Sequence, residues 1–410
     1  MKRVLFLMGA YYPNAYANGI CVGEIIKELQ KDDCEVICVA NRGHGLKHHE
    51  FLNGVEVFRE NDVLPNRMAE AISRSDSAIY KTAMRNIKFI FDIIRLVLNI
   101  PVFPVGSYFR TNRIYRIAKR IVKTRKIDLI VGVNMPTDAL NAAMKIKVNN
   151  PEISFVPYIL DPIGGGLSNR LIKKRTVEKR SLLFEDKMLS LCDKAIIMKW
   201  YREYYLNHHK AHLEKCCFLD VPYLVERSGS ASASSEKVII YAGGLSEKTR
   251  NPEYIFKVFS CIKGVRLKMY LTGDTDWVKN KIKGIDNIEI HSRVTHDELT
   301  ELMEKADGFL NIGNSQQLFV PSKLFEYFSY GKLVISTYRV ENDTCLPYME
   351  KYPNGLLIDE INDDPNEVAV KIEEKINDIK VLQYQELKEI FWENTPDASA
   401  QVIVGGFKDE

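Results

Sequence analysis

Gly308-Phe309-Leu310-Asn311-Ile312, Gly313-Asn314-Ser315-Gln316-Gln317, then Val320-Pro321-Ser322-Lys323-Leu324-Phe325-Glu326-Tyr327-Phe328-Ser329-Tyr330-Gly331-Lys332-Leu333-Val334-Ile335 reads as strand, polar loop, helix and second strand. Pro321 suits the first helical turn, where a missing N–H costs nothing, and Gly331 suits the helix exit. The free N–H groups of a helix N-terminus favour an anion, and Lys323 adds a full positive charge there. Glu326 follows at i+3, on the same face. A cation with amides for phosphate, and a carboxylate for two neighbouring hydroxyls, suits a nucleoside diphosphate with its ribose. The competing reading is an ordinary helix with Leu324, Phe325 and Phe328 in a core and a surface ion pair between Lys323 and Glu326.

The same alternation extends in both directions. Strands are expected over residues 4–8, 35–40, 55–58, 128–133, 154–160 and 193–198, with helices over 19–29 and 137–147. After a low-complexity stretch, Ser228-Gly229-Ser230-Ala231-Ser232-Ala233-Ser234-Ser235, a second series begins. Its strands fall over 238–241, 267–271, 288–291 and 355–358, and its helices over 252–261, 297–305, 365–379 and 383–392. Strands alternating with helices give parallel sheets covered on both faces. The expected fold class is α/β, with two doubly wound Rossmann-like domains facing a central cleft, where small molecules favour binding. We expect an N-terminal domain over 1–225, a linker over 226–236 and a C-terminal domain over 237–394, with 395–410 packing back on the first.

The 410 residues, 46% hydrophobic and 27% charged, are those of a globular protein of more than one domain. The apolar run at the N-terminus is too short for a signal peptide. The longest apolar region, residues 89–106, is broken by Asp92, Arg95 and two prolines and is a poor transmembrane span. Eight cysteines without a C-x-x-C pair suggest free thiols in a reducing cytoplasm and speak against zinc.

The net charge of +3 hides a basic region: residues 81–126 hold twelve Lys or Arg and one acid, Asp92. Lys81, Arg85, Lys88, Asp92, Arg95 and Asn99 form a narrow polar stripe on an otherwise apolar helix. Arg113, Arg116, Arg120 and Lys123 repeat the pattern on a second helix. Two readings stand: an anionic membrane surface met by these helices, or helices packed on their sheet with a solvated basic face. Nucleic acid fits less well, since aromatic residues are few and no recognition motif is visible.

Other constellations are weaker. Gly243 and Gly244 end a strand, with Lys248 and Arg250 following as phosphate-binding cations. Asn18-Gly19 opens the first helix after a loop that is neither a dinucleotide fingerprint nor a P-loop. Asp274-Thr275-Asp276 reads as a helix cap before Trp277 in preference to a magnesium site. His208 and His212 stand at i and i+4, a metal pair only if helical, and a solvated basic face is the better reading. No G-x-S-x-G elbow, H-E-x-x-H or nucleophilic triad is present.

These pieces, in this order, resemble the GT-B glycosyltransferases of family 4, the glycogen-synthase-like or group 1 type. The matching residues are Tyr-Ala-Gly-Gly-Leu from Tyr241, Leu-Thr-Gly-Asp from Leu271, Asn287-Ile288-Glu289-Ile290-His291, Glu298-Leu299, Ala306-Asp307, and Pro321-Ser322-Lys323-x-x-Glu326-Tyr327 with Gly331-Lys332-Leu333-Val334-Ile335. The resemblance implies a nucleotide-sugar donor, a UDP-sugar first, held mostly by the C-terminal domain, and a glycan or lipid-linked acceptor on the N-terminal one. It implies transfer with retention, no metal and no cofactor. Glu326 would hold the ribose, and Lys323 with the amides around Pro321 and Ser322 the diphosphate. Arg293 and Val294 would lie against the base, and Gly19 in the loop facing the donor phosphates. Two positions depart from the family pattern. Leu318 stands where a glutamate is common, and Gly244 where an arginine is common, so Arg250 is the expected substitute, ahead of Lys248. Asp161, at the end of an N-terminal-domain strand, is the candidate contact for an acceptor or sugar hydroxyl. Lys323, Arg250 and Asp161 form the expected catalytic set.

The expectation is therefore a cytoplasmic glycosyltransferase, peripheral on a membrane, acting on a lipid-linked or cell-envelope acceptor. The alternatives are a sugar-nucleotide epimerase of the same fold, which would need catalytic carboxylates or histidines, and a non-catalytic nucleotide-sugar-binding module.

Overall fold

Uninterrupted runs of β-branched and aliphatic residues become the central strands of two sheets, because a strand covered on both faces has no polar side to show. The computed structural model describes residues 1–13, 15, 17–43, 45–61, 63–161, 163, 172–227, 236–273, 275–314 and 320–407. The chain divides into two units, Met1–Pro222 with Pro396–Glu410, and Tyr223–Thr395.

The first unit holds β1 (Arg3–Leu7), β2 (Glu35–Arg42), β3 (His49–Leu52), β4 (Val55–Asn61), β5 (Leu129–Val133), β6 (Ser154–Ile159), β7 (Ala195–Met198) and β8 (Cys216–Leu219). Their order is β3-β4-β2-β1-β5-β6-β7-β8, parallel except where β3 pairs antiparallel with β4. Alternation along β1 splits the core in two. Val4 and Phe6 pack with Val22, Ile25 and Leu29 of helix Ala17–Lys31, whereas Leu5 and Leu7 pack with Ile114, Leu140 and Ala143 on the other face. Ala400 and Ile403 of helix Pro396–Val404 join the first of these clusters.

The second unit holds β9 (Lys237–Gly244), β10 (Val265–Thr272), β11 (Ile288–Ser292), β12 (Gly308–Asn311), β13 (Leu333–Tyr338) and β14 (Gly355–Asp359). All are parallel, in the order β11-β10-β9-β12-β13-β14. In each unit the strand order reverses beside the first strand, between β1 and β5 and between β9 and β12. The expected class, α/β with doubly wound parallel sheets, is the one observed. Not foreseen are β3, β8 and the helices Leu64–Arg74 and Lys174–Leu191.

Helix Ala78–Asn99 departs from one of its two readings. It has no buried residue, so it is not packed on the sheet. Its half-buried positions are Lys81, Met84, Lys88, Asp92, Arg95 and Asn99, so the polar stripe turns inward except for the exposed Arg85, and the apolar faces apart from Met84 turn out. No described helix is long and apolar enough to cross a membrane.

Candidate functional site

In an open parallel sheet, loops leaving neighbouring strands in opposite directions open a crevice at the point of reversal. In the second unit that point lies between β9 and β12, and helix Ser322–Phe328 follows β12. Tyr327 fixes this helix to both strands. Its hydroxyl accepts from the Ala242 N–H of β9 at 3.1 Å, and its ring stacks on Phe309 of β12 at 4.9 Å. At the far end the Ser329 hydroxyl donates to the Phe325 carbonyl at 2.8 Å.

Pro321 stands just before the helix as its cap, in extended backbone, and Ser322 is the first helical residue. Among the described residues no side chain caps the helix; the Leu324 N–H is taken by the Pro321 carbonyl at 3.0 Å, and the Ser322 and Lys323 amides stand ahead of it in the first turn. Lys323 Nζ lies 2.6 Å from a carboxylate oxygen of Glu326, with the Lys323 side chain 34% exposed and that of Glu326 only 2%. The ammonium is off the hydrogen-bonding direction. The contact is thus an ion pair, and neither Glu326 oxygen has an aligned donor among the described residues. The surface ion pair of the competing reading is excluded on the Glu326 side. A buried acceptor without donors is costly, and such atoms mark places where another group completes the set.

The loop after β9 folds back on itself. Ser246 N–H donates to Arg250 O at 3.1 Å, and Arg250 N–H to Ser246 O at 2.9 Å. This leaves Lys248 exposed and Arg250 half-buried. Tyr241, whose hydroxyl donates to Gly244 O at 2.8 Å, stands against Arg250; burial pushes its phenol up, and the Arg250 charge opposes this. Burial likewise raises the Asp343 carboxyl, with the Cys345 amide and Arg250 opposing. Arg250 Nε is itself buried without a hydrogen-bond partner. Arg250 thus sits among Tyr241, Asp343 and Tyr327, the last adjacent in sequence to Glu326. A Cβ at Gly243 would meet the Tyr241 hydroxyl at 3.3 Å, and one at Gly244 the Thr272 hydroxyl at 3.2 Å. Sequence reasoning missed Tyr241, Tyr327 and Asp343 as partners. Only the place of the two tyrosines within the matched segments could have pointed to them.

Arg293 and Val294 are not drawn into this group. They follow β11, the edge strand two places from β9, and Arg293 is exposed. Asp276 opens helix Asp276–Lys281 as its first residue, with Lys279 at 3.8 Å, which replaces the expected cap before Trp277. Asp274, Leu318, Gly164, Gly165, Gly166 and residues 228–235 lie outside the described residues.

In the first unit, Asp161 ties the start of helix Ala17–Lys31 to the segment just after β5, at the reversal between β1 and β5. Asn18 Nδ2 donates to its carboxylate at 3.0 Å, and Asn134 Nδ2 to its carbonyl at 2.6 Å. Asn134, fully buried, was missed; the signal was a lone amide directly after an apolar strand. Gly19 is buried, and a Cβ there would lie 2.2 Å from the Ala10 carbonyl oxygen. Its role is to let the loop after β1 close over the helix start.

The histidine pair is corrected. His208 ends helix Arg202–His208 and His212 lies in a separate 3-10 turn, so the two do not share a helix face. His209 between them is buried, with Nε2 at 2.9 Å from Glu185 and Nδ1 at 2.7 Å from Asp186. All eight cysteines are free.

Residues 236–378 match the sequence family described as glycosyl transferases group 1. No curated protein matches the chain by sequence. Among solved structures, a sucrose-phosphate synthase from Thermosynechococcus elongatus superposes with a TM-score of 0.57 at 12% identity, over 100% of this chain and 95% of that one. WaaG, a glycosyltransferase involved in lipopolysaccharide biosynthesis, gives 0.52 at 12% identity, over 98% and 100%. Anabaena HepE, solved in complex with UDP and glucose, gives 0.51 at 15% identity, over 99% and 97%. At these identities the likeness is one of fold, the GT-B fold of glycosyltransferases.

Proposed function

We propose that this glycosyltransferase, whose second unit carries a group 1 glycosyl transferase domain, moves a sugar from a nucleoside-diphosphate sugar to a lipid-linked or cell-envelope glycan. The donor is a UDP-sugar, and transfer proceeds with retention and without a metal. The observation that carries the reading is Glu326, a buried carboxylate whose two oxygens lack aligned donors among the described residues. Ribose O2′ and O3′ hydroxyls are donors of matching number and spacing. Lys323 and the uncapped amides of Ser322 and Lys323 take the diphosphate, and Arg250 adds a second cation.

In this reading the bond between the anomeric carbon and the β-phosphate oxygen breaks, and its electron pair goes to that oxygen. The acceptor hydroxyl oxygen bonds to the anomeric carbon, and its proton passes to the departing phosphate oxygen. Fixed cations and amides stabilise the negative charge gathering on the leaving diphosphate. Asp161, held by Asn18 and Asn134, takes a hydroxyl of the acceptor or sugar as a hydrogen-bond acceptor. The UDP in HepE and the lipopolysaccharide role of WaaG support the choice of donor and acceptor class. The eight free thiols support a cytoplasmic site of action.

Thermal shift with UDP, GDP, ADP and dTDP, then with their sugars, tests the donor half. One nucleotide should raise the melting temperature of the native chain and not that of Glu326→Gln. Equal shifts in both proteins would remove Glu326 from the site, and no shift with any nucleotide would overturn the reading. Sugar transfer to a lipid-linked acceptor tests the other half; an altered sugar nucleotide formed without acceptor would point to an epimerase.

A further inference from the structure

We propose that helix Ala78–Asn99 lies in the plane of an anionic lipid leaflet, with its apolar face in the headgroup–acyl boundary and its polar stripe turned to the protein. The proposal deepens the acceptor reading above, on which it rests for its purpose, but its test reads lipid binding alone.

The polarity of this helix is inverted. A helix on a protein surface normally buries its apolar stripe and shows its charges to water. Here Lys81, Lys88, Asp92, Arg95 and Asn99 are half-buried, while Phe89 (65% exposed), Leu98 (57%) and Ile90 (56%) face out. The inward stripe is chemically engaged. Lys88 pairs with Asp92 at 2.5 Å, and the Arg95 charge acts on the buried Asp138. The chain just after the helix is held as well, since Arg180 Nη1 donates to the carbonyls of Ile100 (2.5 Å) and Phe103 (3.1 Å). At about 100° per residue, Ile79, Ile90 and Val97 stand opposite the stripe, flanked by Ile87, Phe89, Ile93 and Ile94. Tyr108 and Phe109, at the start of helix Tyr108–Thr124, are also more than 60% exposed. An apolar helix face exposed over this length marks a surface that another body covers.

Two features choose the cover. The charged residues recur every three or four positions along the whole helix, so no length of it is apolar all round and it cannot span a bilayer; an in-plane position keeps the stripe out of the hydrocarbon. The stretch of chain that contains the helix, residues 81–126, is strongly cationic. Arg116, Lys119, Arg120 and Lys123 of the next helix are exposed, and Asp92 is the one acid in residues 81–126. A second copy docked on this face would bring like charges together, whereas anionic headgroups supply the missing counter-charge.

The test is flotation of the full-length chain with vesicles of phosphatidylcholine mixed with phosphatidylglycerol, and with phosphatidylcholine alone. The native chain should float with the mixed vesicles, less so as salt rises. Ile90→Asp with Val97→Asp should lower that binding about tenfold or more while leaving the melting temperature unchanged, since both side chains are exposed. Arg120→Glu with Lys123→Glu should weaken it and remove the preference for phosphatidylglycerol. Absence of flotation at low salt, or equal flotation of the Asp variant, overturns the proposal. So does a dimer in analytical ultracentrifugation that the Asp variant abolishes while vesicles are ignored. A nucleotide thermal shift run on the same samples separates the two readings: vesicle binding without any shift would sink the donor site and leave the lipid surface standing.

Discussion

Lys323 and Glu326 stand 2.6 Å apart across one helical turn, the lysine partly in solvent and the glutamate buried. A charge pair so asymmetric in exposure is a weak stabiliser, because desolvating the carboxylate offsets much of the attraction. Its form suits a ligand site better than a clamp on the fold. Glu326→Gln should weaken binding of UDP about 10- to 100-fold, the worth of hydrogen bonds to a charged group, and change unfolding free energy little. Calorimetric titration with UDP beside urea denaturation checks this; a large loss of stability with unchanged affinity would make Glu326 structural.

Lys323→Met should destabilise the second unit by about 1–3 kcal/mol, because it strands the Glu326 carboxylate, the exposure of the lysine keeping the cost low. Turnover should fall about 10²- to 10³-fold, the loss expected when a group that stabilises developing charge is removed. Adding Glu326→Gln to Lys323→Met should restore stability and leave turnover low. Recovery of turnover in the double variant would argue against a role for Lys323 in the reaction.

His209 makes stability depend on pH. Burial alone would lower its ring, but Glu185 and Asp186 face both nitrogens and the net direction is up. A ring that faces an acceptor at each nitrogen is satisfied only as the imidazolium, which donates twice. A raised folded-state value means that the contribution is full below the ordinary histidine range, about 6.5, and is lost as pH rises through the folded value. Urea denaturation of the native chain should therefore show a loss on the order of 1–2 kcal/mol on the alkaline side. The same series with His209→Gln should be flatter; an identical slope would assign the dependence elsewhere.

Gly19→Ala tests the loop after β1. Alanine in a helix is ordinarily better than glycine, yet a Cβ here would fall 2.2 Å from a backbone carbonyl oxygen. The backbone must move, so the variant should lose about 1–3 kcal/mol by chemical denaturation. A stabilised variant would show that the loop is free to shift.

Much of the fold was legible in the chain. The apolar runs around Val4, Val131, Ile239 and Leu310 became central strands because each is covered on both faces, and Pro321 and Gly331 bracket a helix because their backbone preferences are local. The strand His49–Leu52 was not legible. It is short, half-exposed and without a regular apolar side, and pairing with β4 holds it. In the candidate site, Lys323, Glu326 and the glycines of β9 were visible as motifs. Tyr327, Asp343 and Asn134 were not, because their roles depend on neighbours 85, 93 or 27 positions away in the chain, namely Ala242, Arg250 and Asp161.

By itself the sequence determined which residues share a face: alternation along the strands, and the stripe of Lys81, Lys88, Asp92 and Arg95 along one helix. Periodicity has no sign, so it could not say which face turns inward. Only the tertiary structure decided that the stripe of helix Ala78–Asn99 faces the protein and its isoleucines face out. It also decided that Glu326 is buried while Lys323, one turn away, is not. Both facts depend on what lies across from a side chain, and that is fixed by packing between segments distant in sequence.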